Sequence, residues 1–333
     1  MRRCLQLAEN AVPTSMPNPN VGAVLVYQNR IIGEGHTSYY GGAHAEVNCI
    51  RSVSKKDQSL IPHSTLFVTL EPCSHFGKTP PCANLIIEHH IKKVVIGISD
   101  PNPKVAGKGI KLLQQAGVEI ILGVLEEACR YSMRKFLCPI QNNRPFVTIK
   151  WAESSNHKIS NLDGSPIPIT GKDTQIFTHK NRSEHQAILC GWKTIYHDRP
   201  KLDNRLWAGN SPQVIIMDPN QQLNGNDYFQ KHPEWWRIVR GNSERLHDIS
   251  IEKWQLQQIL NQILLEGIQS IYIEGGAYTI QQFIDEKIWD ECFMYQNHML
   301  ISEGLCAPQL TDAKLIETFH YGDDTIYHYI PSF

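Results

Sequence analysis

The loop between Cys73 and Cys82 constrains the fold of this chain more than any other stretch of its sequence. A β-branched, apolar run, Thr65–Leu70, precedes the loop and predicts a buried strand, and Cys82–Ile91 predicts a helix after it. Two thiols in a stiff, polar loop suit zinc, which prefers thiolate and imidazole ligands in a tetrahedron. A zinc site here requires that a third ligand from a distant part of the chain folds onto the loop.

His44 is the candidate for that third ligand, since it follows Gly41–Gly42 and opens the predicted helix His44–Val53. Three protein ligands leave the fourth coordination position to water, which is typical of catalytic zinc. Zinc brings the pKa of water near neutrality, and Glu46 could then shuttle the proton without ligating the metal. Histidine-x-glutamate with a distant proline-cysteine is the signature of zinc deaminases, although their second half is usually P-C-x-x-C. The pattern predicts a deaminase with Glu46 as its catalytic residue.

Strands alternate with helices along the chain, which predicts two α/β domains, because 333 residues exceed one ordinary core. In the first half, the predicted strands are Val21–Tyr27, Ile31–Glu34, Thr65–Leu70, Lys92–Ile98 and Val118–Val124. The predicted helices are His44–Val53, Cys82–Ile91, Lys108–Ala116 and Leu125–Leu137. Because Cys138–Arg144 is polar and turn-like, we expect the domains to span residues 1–143 and 144–333.

The second half repeats the alternation of strands and helices. Its predicted strands are Phe146–Ala152, Ala187–Cys190, Gln213–Met217, Arg237–Arg240, Ser270–Glu274, Cys292–Leu300 and Thr325–Ile330. Its predicted helices are Lys172–Ser183, Glu252–Glu266 and Thr279–Glu286. Two polar, turn-rich segments, Asn204–Asn210 and Asn220–Trp236, are expected to be loops.

Charge and composition argue against several classes of partner. Lys and Arg (32) nearly balance Asp and Glu (33), so we expect neither nucleic acid nor an anionic membrane as partner. No stretch approaches the ~20 apolar residues of a membrane span, and the N-terminus lacks the apolar core of a signal peptide. Nine scattered cysteines suit a reducing compartment, which predicts a soluble, cytoplasmic protein.

Four segments resemble the riboflavin-biosynthesis deaminase-reductase family: NPNVGAV (18–24), HAEVN (44–48), TLEPCSHFGKTPPC (69–82) and DPNPKVAGKG (100–109). The resemblance covers nearly the whole chain and implies an N-terminal, cytidine-deaminase-like three-layer domain followed by a dihydrofolate-reductase-like α/β domain. It implies zinc-dependent deamination of 2,5-diamino-6-ribosylamino-4(3H)-pyrimidinone 5′-phosphate in the first domain. In the second domain it implies reduction of the ribosyl group to a ribityl chain by NADPH. Related chains have several residues before the position where the predicted helix Met1–Ala11 begins, so we expect this helix to fray.

Five polar residues near the predicted zinc site are candidate substrate contacts. His75 and Lys78 supply cations for a phosphate, Asp100 and Asn102 could bind a pyrimidine edge, and Asn20 a sugar or base edge. On pattern alone, the two cations could be solvated loop charges, and the other three residues could simply form turns. The resemblance favours substrate binding for all five.

In the second domain, Ser270–Gly276 runs from a predicted strand into a glycine turn that could admit a phosphate, although such a turn alone is more often structural. The resemblance implies NADPH contacts at Ala152, Thr194, Asp198, Gly276, Ala277, Tyr278, Thr279, Ile280, Gln281 and Gln282. It implies substrate contacts at Lys150, Arg182, Leu202, Arg205 and Glu274. The two arginines would hold the substrate phosphate, which suits a guanidinium fork, whereas each alone could be a surface residue.

The chain departs from the family pattern in three places. Thr37 stands where a histidine is usual, so either His36 takes over its contact or the contact is lost. The element S-L-D-G-[KR] appears as Ser154–Lys158, without its aspartate and glycine. Pro166 and Pro168 replace a serine and a tryptophan, and each proline removes a backbone donor. A weakened or altered reductase is therefore an alternative to full bifunctionality.

Two further alternatives remain at this stage. The chain could deaminate a nucleoside or nucleic-acid base, with its second half as a scaffold, although the balanced charge opposes nucleic acid. It could instead be a binding protein whose zinc is structural, with His75 as a fourth ligand. The resemblance favours the bifunctional enzyme and a homo-oligomer, since a reductase half of this kind often pairs through its sheet edge.

Overall fold

The computed structural model describes residues 1–74, 80–102 and 106–333. Contacts divide the chain into two compact units, Met1–Asn143 and Arg144–Phe333. Among the helices of the described residues, none has the length and apolar character needed to span a bilayer.

The first unit is built on a five-stranded sheet. Its strands are β1 (Gly22–Tyr27), β2 (Arg30–His36), β3 (Thr65–Leu70), β4 (Lys93–Ile98) and β5 (Glu119–Leu122). Its helices are α1 (Arg2–Glu9), α2 (Ala45–Arg51), α3 (Cys82–Glu88), α4 (Lys108–Gln115), α5 (Glu126–Ser132) and α6 (Arg134–Asn142), with a 3₁₀ helix at Lys55–His63. The strand order is β2-β1-β3-β4-β5, with β1 antiparallel to both neighbours and β3, β4 and β5 parallel. Because β3 and β4 are parallel neighbours, the segments that follow them meet at one edge of the sheet.

Helices cover both faces of this sheet, as the predicted three-layer arrangement requires. On one face, Leu25 and Leu66 pack in a core with Cys49 of α2. On the other face, Val24 packs with Cys4 of α1. The predicted α/β fold class is confirmed for this unit.

One predicted segment of the first unit is wrong. Cys138–Arg144 was expected to be turn-like, but α6 continues to Asn142 and ends at Asn143, whose φ is 52°. The sequence is polar there, yet Leu137 and Cys138 are buried and hold the helix against the unit. The single helix predicted over Leu125–Leu137 is in fact the pair α5 and α6.

The second unit is built on a nine-stranded sheet. The unit contains eleven strands, of which β7 and β14 lie outside this sheet. The strands are β6 (Phe146–Ser154), β7 (Lys158–Ser160), β8 (Ala187–Gly191), β9 (Gln213–Met217), β10 (Trp236–Arg240), β11 (Asp248–Ile251), β12 (Ser270–Glu274), β13 (Glu291–Asn297), β14 (Leu305–Cys306), β15 (Ala313–Tyr321) and β16 (Asp324–Pro331). Its helices are α7 (Lys172–Ser183), α8 (Trp192–Asp198), α9 (Asp227–Gln230), α10 (Leu256–Leu265) and α11 (Ala277–Asp285). The sheet order is β11-β10-β9-β8-β12-β6-β13-β16-β15, and β7 pairs with β14 separately.

The seven strands from β11 to β13 are parallel, and β16 is antiparallel to both of its neighbours. The carboxyl ends of β6, β8 and β12 therefore lie side by side, where open α/β sheets bind ligands. Edge strand β15 has no counterpart among the predicted strands, because most of its side chains are exposed and no buried face marks it. The expected loop Asn220–Trp236 also contains the short helix α9, which Asn226 caps.

A buried ionic cluster joins three parallel strands at one end of this sheet. Arg237 on β10 donates from Nε to Asp248 of β11 (3.1 Å) and from Nη1 to Asn224 (2.8 Å), and Asp218 lies 3.4 Å from Nη1. The Arg237 side chain is only 2% exposed, and those of the two aspartates are fully buried. Removing the cation would leave two buried carboxylates without the charge that lies between them, although Asp218 keeps two backbone N–H donors and Asp248 keeps Arg245.

We therefore expect Arg237→Met to lower the free energy of unfolding of the second unit by about 3–5 kcal/mol. Denaturant unfolding followed by tryptophan fluorescence measures this, since all seven tryptophans lie beyond residue 143. Arg199→Met is the matched control, because Arg199 pairs with Asp227 on the surface, where such pairs contribute about 1 kcal/mol or less. Equal losses for the two variants would contradict a special role of the buried cluster.

Candidate functional site

The first unit brings together the three predicted metal ligands. His44 Nδ1 lies 3.6 Å from Cys73 Sγ and 3.4 Å from Cys82 Sγ, and all three ligand atoms lie within 4.8 Å of one another. With zinc bonds of about 2.1 Å to nitrogen and 2.3 Å to sulfur, a tetrahedron places nitrogen and sulfur about 3.6 Å apart. The donor set and its spacing therefore fit zinc. Among residues 1–74, 80–102 and 106–333, these three ligands form the cluster and leave the fourth position of a tetrahedron open.

Local structure explains why these ligands converge. His44 occupies the N-cap of α2 in an extended conformation, and Cys82 is the first residue of α3. The Cys82 N–H donates to Cys73 Sγ (3.3 Å), which holds the Cys73 side chain against the start of α3. Asn48, which the sequence analysis left without a role, donates to the His36 carbonyl (2.8 Å) and to Ser38 Oγ (2.9 Å). Asn48 thereby holds the turn before His44 against α2.

Burial and close contacts shift the pKa values of Glu46 and Cys73. Glu46 lies in the first turn of α2 and is 4% exposed. Burial, reinforced by the neighbouring Cys73, raises the pKa of Glu46 to about 7. A hydrogen bond with Cys82 lowers the pKa of Cys73 against the opposing effect of burial, and a hydrogen bond with His44 adds to the lowering. These contacts favour a thiolate at Cys73.

The predicted substrate residues of the first unit lie in two described segments and one that is not described. His75 and Lys78 fall outside the described residues. Asn20 is buried and its Nδ2 donates to the Ser132 carbonyl (3.0 Å). Asp100 and Asn102 form one turn after β4, in which the Asn102 N–H donates to Asp100 Oδ1 (2.8 Å). Between described residues, no direct hydrogen bond joins these three residues to the metal ligands.

Thr37, at the position of the expected histidine, has a structural partner. Its buried Oγ1 accepts from the Val21 N–H (3.0 Å), and its own N–H donates to the Val21 carbonyl (3.0 Å). The neighbouring His36 is half-buried, with Nδ1 3.0 Å from the Thr37 carbonyl. Thr37 therefore bonds to the backbone of Val21 at the end of the β1–β2 pair. The imidazole next to the expected histidine position is that of His36.

A second residue without a predicted role is Glu71, which is buried between β3 and Cys73. Its carboxylate accepts hydrogen bonds from four backbone N–H groups of the segment from Asp100 to Ile110. The only sequence signal for such a role is an acidic residue directly after an apolar strand.

In the second unit, Glu274 at the end of β12 is the centre of a buried charged cluster. Arg182 of α7 binds it in a fork, from Nε to Oε1 (2.6 Å) and from Nη2 to Oε2 (2.8 Å). Lys150 of β6 lies 4.0 Å from Oε2, with its ammonium over the ring of Tyr295. Burial opposes ionisation of Glu274, but Arg182 and then Lys150 hold its pKa below the ordinary value. Burial lowers the pKa of Lys150, although Glu274 opposes this shift.

Of the other predicted substrate residues, Arg205 contacts α7 and Leu202 packs beside α8. Arg182 Nη1 donates to the Asp203 carbonyl (2.9 Å), and Arg205 pairs with the Asp203 carboxylate. The Arg205 N–H donates to Nδ1 of the buried His179, a residue that the sequence analysis did not single out (3.1 Å). Asp203 thus contacts both predicted phosphate arginines, Arg182 through its carbonyl and Arg205 through its carboxylate. Leu202 is buried in a core beside α8, with a φ of 52°.

A cradle without bulky side chains lies where the cofactor is predicted. Gly276 is the N-cap of α11 and supplies no side-chain cap, and a Cβ there would lie 3.5 Å from Thr194 Oγ1. A Cβ on Gly191, at the end of β8, would lie 2.6 Å from Thr279 Oγ1. Gly191 thus lets the start of α8 approach Thr279 of α11, whereas a Cβ on Gly276 would make an ordinary contact. The first N–H groups of α11 suit a phosphate.

Not every residue of the predicted cofactor segment can present its side chain to that cradle. Ile280 is fully buried in the core, and Gln281 is bonded to Asp285 and Gln309. Tyr278 is 77% exposed. Ala152 lies on β6 opposite Tyr295 of β13, and Asp198 is an exposed residue at the end of α8. Contacts from 276–282 to a cofactor would therefore come mainly from the backbone of the first turn of α11.

The segment Ser154–Lys158, which departs from the family pattern, still forms a hydrogen-bonded turn. Asn156, in place of the expected aspartate, accepts from Ser154 Oγ (2.7 Å) and donates to the Ile301 carbonyl (2.7 Å). His157, in place of glycine, has a φ of 59°, a conformation that glycine adopts with the least strain. Its Nδ1 lies 2.7 Å from Oε1 of the buried Glu153. Both unusual prolines, at 166 and 168, are exposed.

Two protein-family models match the chain. The model described as "Cytidine and deoxycytidylate deaminase zinc-binding region" matches residues 1–98, which include His44, Glu46 and both zinc-site cysteines. The model described as "RibD C-terminal domain" matches residues 145–327, which include Lys150 and Glu274.

Similar proteins cover nearly the whole chain. "Riboflavin biosynthesis protein RibD" of Actinobacillus pleuropneumoniae is 42% identical and covers 99% of this chain and 94% of its own length. The protein of the same name from Aquifex aeolicus is 34% identical, over 92% of this chain and 88% of its own length. The crystal structure of a diaminohydroxyphosphoribosylaminopyrimidine deaminase/5-amino-6-(5-phosphoribosylamino)uracil reductase from Thermotoga maritima superposes with a TM-score of 0.91 at 34% identity. It covers 99% of this chain, and this chain covers 97% of it.

Proposed function

Because the chain belongs to the RibD family of riboflavin biosynthesis proteins, we propose that its two units catalyse the two reactions named for the Thermotoga relative. The protein is a bifunctional enzyme that uses zinc for deamination and NADPH for reduction. Residues 1–143 form the deaminase and residues 144–333 the reductase. The observation that carries the proposal is the convergence of His44, Cys73 and Cys82 beside the buried carboxyl group of Glu46.

In the deaminase, the substrate is 2,5-diamino-6-ribosylamino-4(3H)-pyrimidinone 5′-phosphate. Zinc, when bound by the imidazole and two thiolates, lowers the pKa of water and so supplies a nucleophile near neutral pH. Burial raises the pKa of Glu46 to about 7, so its carboxylate would accept a proton near neutral pH and deliver it to the departing amine nitrogen. Asn20, Asp100 and Asn102 bind the ring or sugar, and His75 and Lys78 bind the phosphate.

In the reductase, NADPH supplies a hydride when it is bound. The first turn of α11 after Gly276, together with Thr194, holds its phosphates, and Ala152 and Asp198 complete the cofactor contacts. Lys150 and Glu274 orient the ribose. The two phosphate arginines, Arg182 and Arg205, and the buried Leu202 hold the rest of the substrate.

The protein is proposed to be a cytoplasmic homo-oligomer. The edge strand β15 supports association, because Leu315 and Ile316 are exposed on it and an unpaired sheet edge offers free backbone groups. The near-zero net charge of the chain agrees with a small-molecule substrate rather than nucleic acid or a membrane.

The function is tested by incubating the purified full chain with the diaminopyrimidinone phosphate, with and without NADPH. We expect ammonia release in both cases and cofactor oxidation only when deaminated product is present. Ammonia release without NADPH oxidation would identify a deaminase with an inactive reductase half. Absence of both reactions would overturn the proposal.

Gly276→Val separates the two activities. The branched side chain would fill the space between α11 and Thr194, so we expect the KM for NADPH to rise about tenfold or more. Ammonia release should stay unchanged. Gly171→Val is the matched control, since Gly171 is also an extended N-cap glycine, and a Cβ there would have its nearest atom at 3.6 Å. Equal effects of both variants on NADPH would argue against a cofactor site at the start of α11.

A further inference from the structure

Glu71 forms an unusually complete set of hydrogen bonds for a buried carboxylate. Its Oε2 accepts from the N–H groups of Asp100 (3.1 Å) and Gly107 (3.0 Å). Its Oε1 accepts from the N–H groups of Gly109 (2.9 Å) and Ile110 (3.2 Å). All four donors are backbone groups from the segment that follows β4, so one side chain organises a distant part of the chain.

The start of α4 depends on this carboxylate. The N-cap of α4 is Gly107, which has a φ of 74° and no side chain with which to cap the helix. The first N–H groups of a helix need acceptors, and a negative charge there also favours the helix dipole. Glu71 meets both requirements from outside the helix.

Close packing reinforces the contact. A Cβ on Gly109 would lie 2.0 Å from the Pro72 carbonyl oxygen, so α4 approaches the backbone next to Glu71 as only glycine permits. The segment Glu71–Cys73 is therefore fixed between the end of β3 and the start of α4. Cys73 is one of the three predicted zinc ligands. Asp100 begins the turn after β4, and its Oδ1 accepts a hydrogen bond from the Asn102 N–H.

We propose that Glu71 is a positioning residue of the deaminase, which fixes the turn of Asp100 and Asn102 relative to the segment that carries Cys73. This inference rests on the proposed function, because it assumes that the turn binds the pyrimidine substrate. Glu71 acts through these backbone groups and needs no contact with the substrate itself.

Glu71→Gln tests the inference. In glutamine, an NH₂ donor replaces one of the two carboxylate oxygens. It would face two backbone N–H donors and accept from neither, so two of the four hydrogen bonds are lost. We expect the KM for deamination to rise about tenfold or more, with kcat within about threefold of the unchanged chain. Zinc content and NADPH oxidation, measured on the same preparation with deaminated substrate, should be unchanged and show that the chain is folded.

Two further variants sharpen the result. Glu71→Asp retains all acceptor oxygens at a shorter reach, so its KM should fall between those of the unchanged chain and Glu71→Gln. Glu119→Gln is the matched control, because Glu119 belongs to the same unit but pairs with Lys93 at the surface, and its KM should not change.

The outcomes distinguish this inference from the proposed function. If the unchanged chain releases no ammonia, the proposed function fails and the inference fails with it. If the unchanged chain is active and Glu71→Gln has an unaltered KM, the inference alone is overturned. Loss of zinc or of kcat at unaltered KM would likewise overturn it, because Glu71 would then serve the metal site or the chemical step.

Discussion

Replacing Glu46 by glutamine is expected to reduce ammonia release by about 10³-fold while zinc remains bound. Glutamine has nearly the same shape as glutamate but cannot accept and return a proton. Glu46 lies two residues from His44 in the first turn of α2, so the substitution should leave the backbone that holds the ligand unchanged. The loss should fall on kcat, since the proton is moved during the reaction and not during binding.

The measurement compares ammonia release, zinc content and NADPH oxidation in the same preparation. NADPH oxidation with deaminated substrate should be unaffected, because the second unit contains its own site residues. Glu34→Gln is the control within the first unit, since Glu34 pairs with Arg3 at the surface. A Glu46→Gln variant that deaminates at the normal rate would refute the role of Glu46 as proton carrier.

Replacing Cys82 by alanine is expected to have an effect of similar size by a different route. Cys82 supplies one of three protein ligands, and two ligands hold zinc far more weakly than three. We expect the purified variant to contain little zinc and to release ammonia at least about 10³-fold more slowly than the unchanged chain. NADPH oxidation should persist, so the loss would be confined to the first unit.

Cys49→Ala is the matched control for this variant. Both cysteines are fully buried in the first unit, but Cys49 lies in the hydrophobic core and outside the triad. We expect it to lower stability by about 1 kcal/mol and to retain zinc and deamination. Equal zinc loss in both variants would show that general destabilisation, and not ligation, explains the result for Cys82.

The sequence predicted the elements that have a clear apolar pattern. The bounds of β3, β9 and β12 agree with the predicted ones, because a continuous apolar run marks each strand. Two elements were not predicted correctly. Edge strand β15 has no buried face, and α6 extends into polar residues because a few buried side chains hold it against the unit. Such elements depend on their neighbours in space, which local patterns do not contain.

The residues of the candidate sites also fall into two groups, those that could be predicted from the sequence and those that could not. Zinc accepts few ligand types in a narrow geometry, so His44 and the two cysteines could be proposed from residue type and spacing alone. The roles of Glu71 and Asn48 depend on backbone groups that the fold brings to them. The fork between Arg182 and Glu274 joins residues 92 positions apart, and no pattern in the sequence indicates this pairing.

The proposed zinc site is tested most directly by X-ray absorption at the zinc edge of the purified, unsubstituted chain, together with the zinc content. We expect one zinc ion per chain with two sulfur ligands, one imidazole nitrogen and one light ligand from solvent. A zinc ion bound by four protein ligands, or a chain that deaminates its substrate without any metal, would contradict this expectation.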